Sequence, residues 1–220
     1  MNFLAHGYKY LDRPLFMAGT AVPDWLSVID RKVRARSRLV APVVEASNDP
    51  QVREIGLGIL QHHADDDIFH RCALFQQLEA ELSSGFRRFM PDRYDHRPGF
   101  LGHITVELLL DATLAAADTS LLDRYYDVLA EIDAVDFEAV VNTMTTRPTD
   151  KLVRLIAAFR KERFLDDYFD DERLLYRLNQ VLHRVKLPAA SDDVIEVLAA
   201  ARDTLTQRGP DLLKIVANGS

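Results

Sequence analysis

Three side chains able to bind a cation recur at four-residue spacing in Gly58-Ile59-Leu60-Gln61-His62-His63-Ala64-Asp65-Asp66-Asp67-Ile68-Phe69-His70: they are His62, Asp66 and His70. On an α-helix, residues four apart stack one turn above another on one face. A second segment repeats the pattern with His103, Glu107 and Asp111, set among mostly apolar neighbours. A carboxylate in so apolar a helix needs a compensating partner, because burying it alone costs several kcal/mol. The two stripes predict a metal site built mainly from His62, Asp66, His103 and Glu107. His6, after Phe3-Leu4-Ala5, and Asp24, in Ala21-Val22-Pro23-Asp24-Trp25-Leu26, are polar residues in apolar surroundings and are candidates to complete it.

Mixed imidazole and carboxylate ligands suit Zn, Mn, Fe or Mg, one ion or two. Such ions acidify bound water and polarise phosphoryl oxygens. On this reading His6, Asp24, His62, Asp66, Glu107 and Asp111 are metal ligands or their close neighbours, and His70, His103 and Asp24 ligate, position or shuttle a proton. The same residues also permit plainer readings. An i,i+4 His–Asp pair occurs on solvated helix faces, Asp65-Asp66-Asp67 could be an acidic surface, and Asp24 could serve a helix N-terminus. His63 points about 100° away from His62 and reads as structural. His96, His183 and Cys72 read as surface or packing residues.

These residues need helices to position them, and helical periodicity runs through nearly the whole chain. The pattern predicts helices at about 14–20, 23–38, 50–82 (with a bend) and 98–117. Further helices are expected at about 119–132, 135–146, 148–164, 170–186 and 191–207. Ser47-Asn48-Asp49-Pro50 is a helix start, and Asp136, Thr149, Asp170 and Ser191 or Asp192 are expected caps. Ser83-Ser84-Gly85 should break a helix, and Pro91 to Gly99 should be a loop. No segment alternates for long enough to make a strand. The expectation is one all-α, multi-helix domain, with a metal-binding part at about 1–117 and a C-terminal helical extension at about 118–220. Leu187-Pro188-Ala189-Ala190 is the nearest thing to a boundary.

Composition narrows the function classes. The 220 residues are 48% hydrophobic and 28% charged, as in a folded globular chain rather than a disordered one. A net charge of −7 argues against a nonspecific nucleic-acid binder. One cysteine allows neither an internal disulfide nor a cysteine zinc cage, so nitrogen and oxygen must hold any metal. No signal segment or membrane span is read, and a cytoplasmic location is expected. The phosphate-loop, nucleophile-elbow, dinucleotide and His-Glu-x-x-His signatures are absent. The run Arg31-Lys32-Val33-Arg34-Ala35-Arg36-Ser37-Arg38 is read as a basic helix, with Arg34 and Arg38 as candidates to meet an anionic substrate or an acidic protein.

Met1-Asn2-Phe3-Leu4-Ala5-His6, the aspartate at position 24, Gly58-Ile59-x-x-His62-x-x-x-Asp66 and the acidic helix around Glu107 and Asp111 together resemble the bacterial acyl carrier protein phosphodiesterases. The resemblance covers about the first half of the chain. It implies an all-helical, HD-domain-like fold and a divalent cation. It also implies cleavage of a phosphodiester that joins phosphopantetheine to a carrier protein. His6, Asp24, His62, Asp66 and Asp111 carry it residue by residue. The chain departs from that pattern at His70, at Ala112 after Asp111, and at Trp25-Leu26 after Asp24. The expectation is therefore a metal-dependent phosphohydrolase with a phosphate ester as substrate, and the resemblance implies that a carrier protein bears the ester. The rivals are a zinc-dependent phospholipase C or nuclease-like helical hydrolase, and a non-catalytic metal-binding or interaction protein.

Overall fold

The earliest turn of helix is one that periodicity does not predict. In the computed structural model, which describes residues 1–90 and 92–219, α1 (Phe3–Gly7) is five residues long and wholly buried. Pro91, where the expected loop opens, lies outside the described residues. All the regular structure among the described residues is helical. The longer helices are α2 (Pro14–Ile29), α3 (Ser37–Ala46), α4 (Pro50–Arg71), α5 (Ala73–Arg87), α6 (Arg97–Ala117), α7 (Leu121–Ala130), α8 (Ala134–Asn142), α9 (Leu152–Glu162), α10 (Asp171–Arg184) and α11 (Ile195–Gly219).

The chain divides into two compact units whose parts alternate along the sequence. Unit one holds Met1, Ile68–Asp118 and Phe164–Gly219; unit two holds Asn2–Asp67 and Thr119–Arg163. The residues after 118 are therefore shared between both units and do not form one C-terminal extension. Leu187–Ala190 is not a boundary either. Arg97 donates to the carbonyls of Pro188 (3.3 Å) and Ala189 (2.8 Å), and the Asn179 side chain both accepts from and donates to the backbone of Ala190. That segment belongs to unit one.

In unit two, α2 packs on α1, α7 and α9. Trp25 is 1% exposed and meets Phe137 and Phe159 edge-on, and Phe3 meets Phe159 in the same way. Pro14 begins α2 where its missing N–H costs nothing, and Pro23 is carried inside the helix, so the two predicted helices are one. That helix stops at Ile29. Asp30 accepts Lys32 N–H on its side chain (2.8 Å) and Val33 N–H on its carbonyl (2.9 Å), a local turn that competes with helix. The basic run is therefore mostly an extended loop: Thr146 N–H donates to the Arg34 carbonyl, Arg34 N–H donates to Thr146 Oγ1, and only Ser37 and Arg38 enter α3.

In unit one, α6 packs on α5, α10 and α11. By length and composition α6 could cross a membrane. Its apolar character has a structural use here, since Leu101, Leu109 and Leu110 are at most 1% exposed among those neighbours. The expected helix of 50–82 breaks at Cys72, whose backbone is extended (φ −72°, ψ 141°) and whose Sγ accepts the N–H of Phe75 (3.4 Å), so the thiol caps α5. Ser83-Ser84-Gly85 does not break α5, which continues to Arg87.

Asp170 caps α10 as expected, while Asp133, not Asp136, caps α8 by accepting Val135 N–H (2.8 Å) and Asp136 N–H (3.1 Å). The start of α9 is served by Glu138, which accepts from Leu152 and Val153, rather than by Thr149. Asp133→Ala should lower stability by about 1 kcal/mol and Asp136→Ala by much less. Urea melts of the two variants check this, and equal losses would refute the assignment.

Candidate metal centre

Among the described residues, two groups could hold a metal ion: His6, His62 and Asp66 in unit two, and His70, His103 and Glu107 in unit one. In each, the ligand atoms lie within 4.8 Å of one another. The grouping differs from the two sequence stripes. Residues eight apart on an α-helix are about 12 Å apart and about 80° round, so a stripe of three cannot face one ion. His62 and Asp66 keep each other and gain His6 from α1. His103 and Glu107 keep each other and gain His70. Asp111 is 1% exposed on α6 and belongs to neither group.

The unit-two group begins with two glycines. A Cβ on Gly58 of α4 would lie 2.1 Å from the Phe16 carbonyl oxygen, and one on Gly19 of α2 would lie 2.4 Å from that of Ile55. Only glycine lets the two helices cross this closely. The crossing sets the backbone next to Gly19 against the turn after Gly58. His62 Nδ1–H donates to the Thr20 carbonyl at 2.8 Å. That bond fixes the tautomer and leaves Nε2 directed at Asp66, 3.4 Å from Oδ2.

His6 is held in the same way. It is 1% exposed, and its Nδ1–H donates to Asp65 Oδ2 at 3.4 Å; Asp65 Oδ1 in turn accepts from Gln61 at 2.8 Å. His6 Nε2 is buried, lies 3.2 Å from Asp66 Oδ1, and lacks the alignment of a hydrogen bond. The two imidazoles stack, with centroids 4.1 Å apart. A buried ring nitrogen without a hydrogen bond, two tautomers fixed from behind and a shared carboxylate fit a divalent cation.

The electrostatics agree with that fit. Burial pushes the His62 imidazole toward its neutral form, but contact with Asp66 and the nearby charge of Asp24 outweigh it and raise its pKa. Burial alone would raise the Asp66 carboxyl; the His6 and His62 rings reverse that and hold it far below the usual carboxylate range. Asp66 thus draws positive charge to this point, which a cation there would otherwise bring. The Asp66 side chain keeps 28% exposure, so the group is open on the carboxylate side.

His63, read as structural from its direction on the helix, donates from Nε2 to the Ala35 carbonyl at 2.7 Å. This bond hooks the basic loop onto α4 beside His62. Arg34 is not free to meet a substrate, because its guanidinium donates to the carbonyls of Asp30 and Val33. Arg31, Lys32, Arg36 and Arg38 are exposed. Sequence reasoning missed the parts played by Thr20, Asp65 and Gln61. The first acts through its backbone, which no side-chain pattern records.

In unit one, a Cβ on Gly102 would lie 2.3 Å from Ser83 Oγ and 2.8 Å from the Glu79 carbonyl oxygen, so α5 and α6 approach closely there. The approach brings Glu79 to His103, whose Nδ1–H donates to Oε1 at 3.0 Å. His70 Nε2 donates to Glu107 Oε1 at 3.1 Å, and His103 Nε2 lies 3.4 Å from the same oxygen. The Met1 ammonium is 3.3 Å from it as well. Burial pushes the His103 pKa down, but Glu107 and Glu79 outweigh it and raise it. His96 and His183 are exposed, as read, and Cys72 is half-buried at its cap.

Comparison of the chain with protein-family models, with curated proteins and with solved structures finds no match to any of them.

Proposed function

We propose that the chain is a metal-dependent phosphohydrolase, a phosphodiesterase in its chemistry, with its reactive centre at His6, His62 and Asp66. The observation that carries this reading is the pair of buried imidazoles presenting Nε2 toward one carboxylate, each with Nδ1–H already engaged by an acceptor. A site that only needed to pack would not fix both tautomers toward a shared point. Three of the five residues that carry the phosphodiesterase resemblance meet in this group, and a fourth, Asp24, acts on His62 through its charge.

A divalent cation held there by His6, His62 and Asp66 would supply Lewis acidity to a phosphoryl oxygen and to water. The protein's own part is positional. Thr20 and Asp65 orient the imidazoles, Gln61 holds Asp65, and Asp24, whose charge reaches His62, would serve as a proton acceptor. The exposed cations of the loop hooked on by His63 favour an anionic substrate, such as a phosphate ester borne on an acidic carrier protein. Zinc, manganese, iron and magnesium are all compatible with nitrogen and oxygen ligands, and two imidazoles favour the first three.

Activity toward bis(p-nitrophenyl) phosphate with Mn²⁺, Zn²⁺ or Mg²⁺ tests the reading. Hydrolysis is expected with at least one ion, and Asp24→Asn should lower it by about 100-fold. No hydrolysis of any phosphomonoester or phosphodiester in a broad panel would end the proposal. Ion binding should also stabilise the fold by about 2.7 kcal/mol at an ion concentration 100 times Kd, read as a rise of several degrees in Tm. A melting temperature unchanged by every divalent ion would favour a purely structural cluster.

A further inference from the structure

We propose that His70, His103 and Glu107 form a second divalent-cation centre, in unit one, with a ligand set of its own. The proposal stands whether or not the chain hydrolyses phosphate esters. It rests on three observations. The Nε2 atoms of both histidines converge on one oxygen of Glu107, at 3.1 and 3.4 Å. The Nδ1 of His103 is held from behind by Glu79 at 3.0 Å, the carboxylate–histidine arrangement that supports metal-bound imidazole. The rings are also locked in place: they stack with centroids 5.0 Å apart, and Phe75 meets each edge-on at 5.1 Å.

The plan matches that of the unit-two group: two stacked imidazoles, a shared carboxylate and a further carboxylate on one Nδ1. In both, a glycine permits the close helix approach beside the ligands. The exposures differ. The side chains of His70 and His103 are 33% and 34% exposed, whereas those of His6 and His62 are 0% and 4%. The unit-one centre should therefore exchange its ion faster. Two imidazoles and a carboxylate, with room for solvent ligands, suit Zn²⁺ or Co²⁺ better than Mg²⁺, which prefers an all-oxygen shell. Without an ion, Glu107 is met by both rings and the Met1 ammonium, so an ion there would replace those contacts.

Zn²⁺ titration of the full chain by calorimetry, with Co²⁺ absorption as a second signal, decides the matter. The wild type is expected to take two equivalents. His103→Gln should take one, and His62→Ala should lose the other. Glu79→Gln, which leaves every ligand in place, should still take two, with one weakened about 10- to 100-fold. A wild type whose single equivalent, or both of whose equivalents, His103→Gln leaves intact would overturn the second centre. The wild-type stoichiometry and the Glu79→Gln shift are readable even if His103→Gln misfolds. A single wild-type equivalent that His103→Gln removes and His62→Ala keeps would overturn the unit-two centre and leave this one standing.

Discussion

Gly58→Ala is expected to cost about 3 kcal/mol or more, the upper end for overpacking a well-packed interior. The new methyl would lie 2.1 Å from the Phe16 carbonyl oxygen and 3.0 Å from the Gly19 Cα. Both are main-chain atoms, so no rotamer change relieves the contact and α2 must move as a body. For a chain of this length the loss corresponds to a fall in Tm of about 6–12 °C. Moving α2 also draws the Thr20 carbonyl away from His62 Nδ1, so ion uptake at the unit-two group should fall with stability. Gly85→Ala is the control: its methyl would meet only the Val197 side chain, at 2.9 Å, which can turn aside. A Gly58→Ala melt within about 2 °C of wild type would show that the helices cross less tightly than the geometry states.

Asp66→Asn should reduce divalent-ion affinity at the unit-two group by more than about 100-fold, since removing a ligand exceeds the 10- to 100-fold cost of removing its supporting partner. The amide is almost the same size, so the chain should stay folded by circular dichroism. It offers one weak oxygen and a donor where the carboxylate offers two oxygens, one toward His6 (3.2 Å) and one toward His62 (3.4 Å). Equilibrium dialysis with Zn²⁺ reads the change directly. Unchanged uptake of the tighter equivalent would mean that the ion is held elsewhere. Asp67→Asn, one residue on and exposed, should leave affinity unaltered.

The all-helical fold was legible because periodicity and caps act locally. Asp170 and Pro50 begin helices where their chemistry places them. What the pattern missed depended on particular competing bonds. Asp30 turns the chain with its own side chain, and Cys72 caps a helix with sulfur, a weak acceptor that no helix-start rule anticipates. Ser83-Ser84-Gly85 reads as a break, yet Gly85 stays in α5 against Val197.

The site was half legible for a similar reason. Spacing pairs His62 with Asp66 and His103 with Glu107, because one helix turn is local. It cannot say that His6 joins the first pair, since α1 is too short to show a period. Nor can it say that His70 joins the second pair, since that contact spans 37 positions. The supports from Thr20, Asp65 and Glu79 depend on how helices cross, and the signal for that was the glycines at 19, 58 and 102.

The interleaving of the two units has a consequence for how the protein is made. Unit two needs residues 119–163, and unit one needs residues up to 219. His6, His62 and Asp66 leave the ribosome early, but at about 5–20 residues per second they wait roughly 5–20 s for the helices that complete their unit. During that wait the apolar α6 emerges before α10 and α11 exist to cover it. The nascent chain is thus most exposed to aggregation in the middle of its synthesis, and its candidate ligands are in place before their scaffold is.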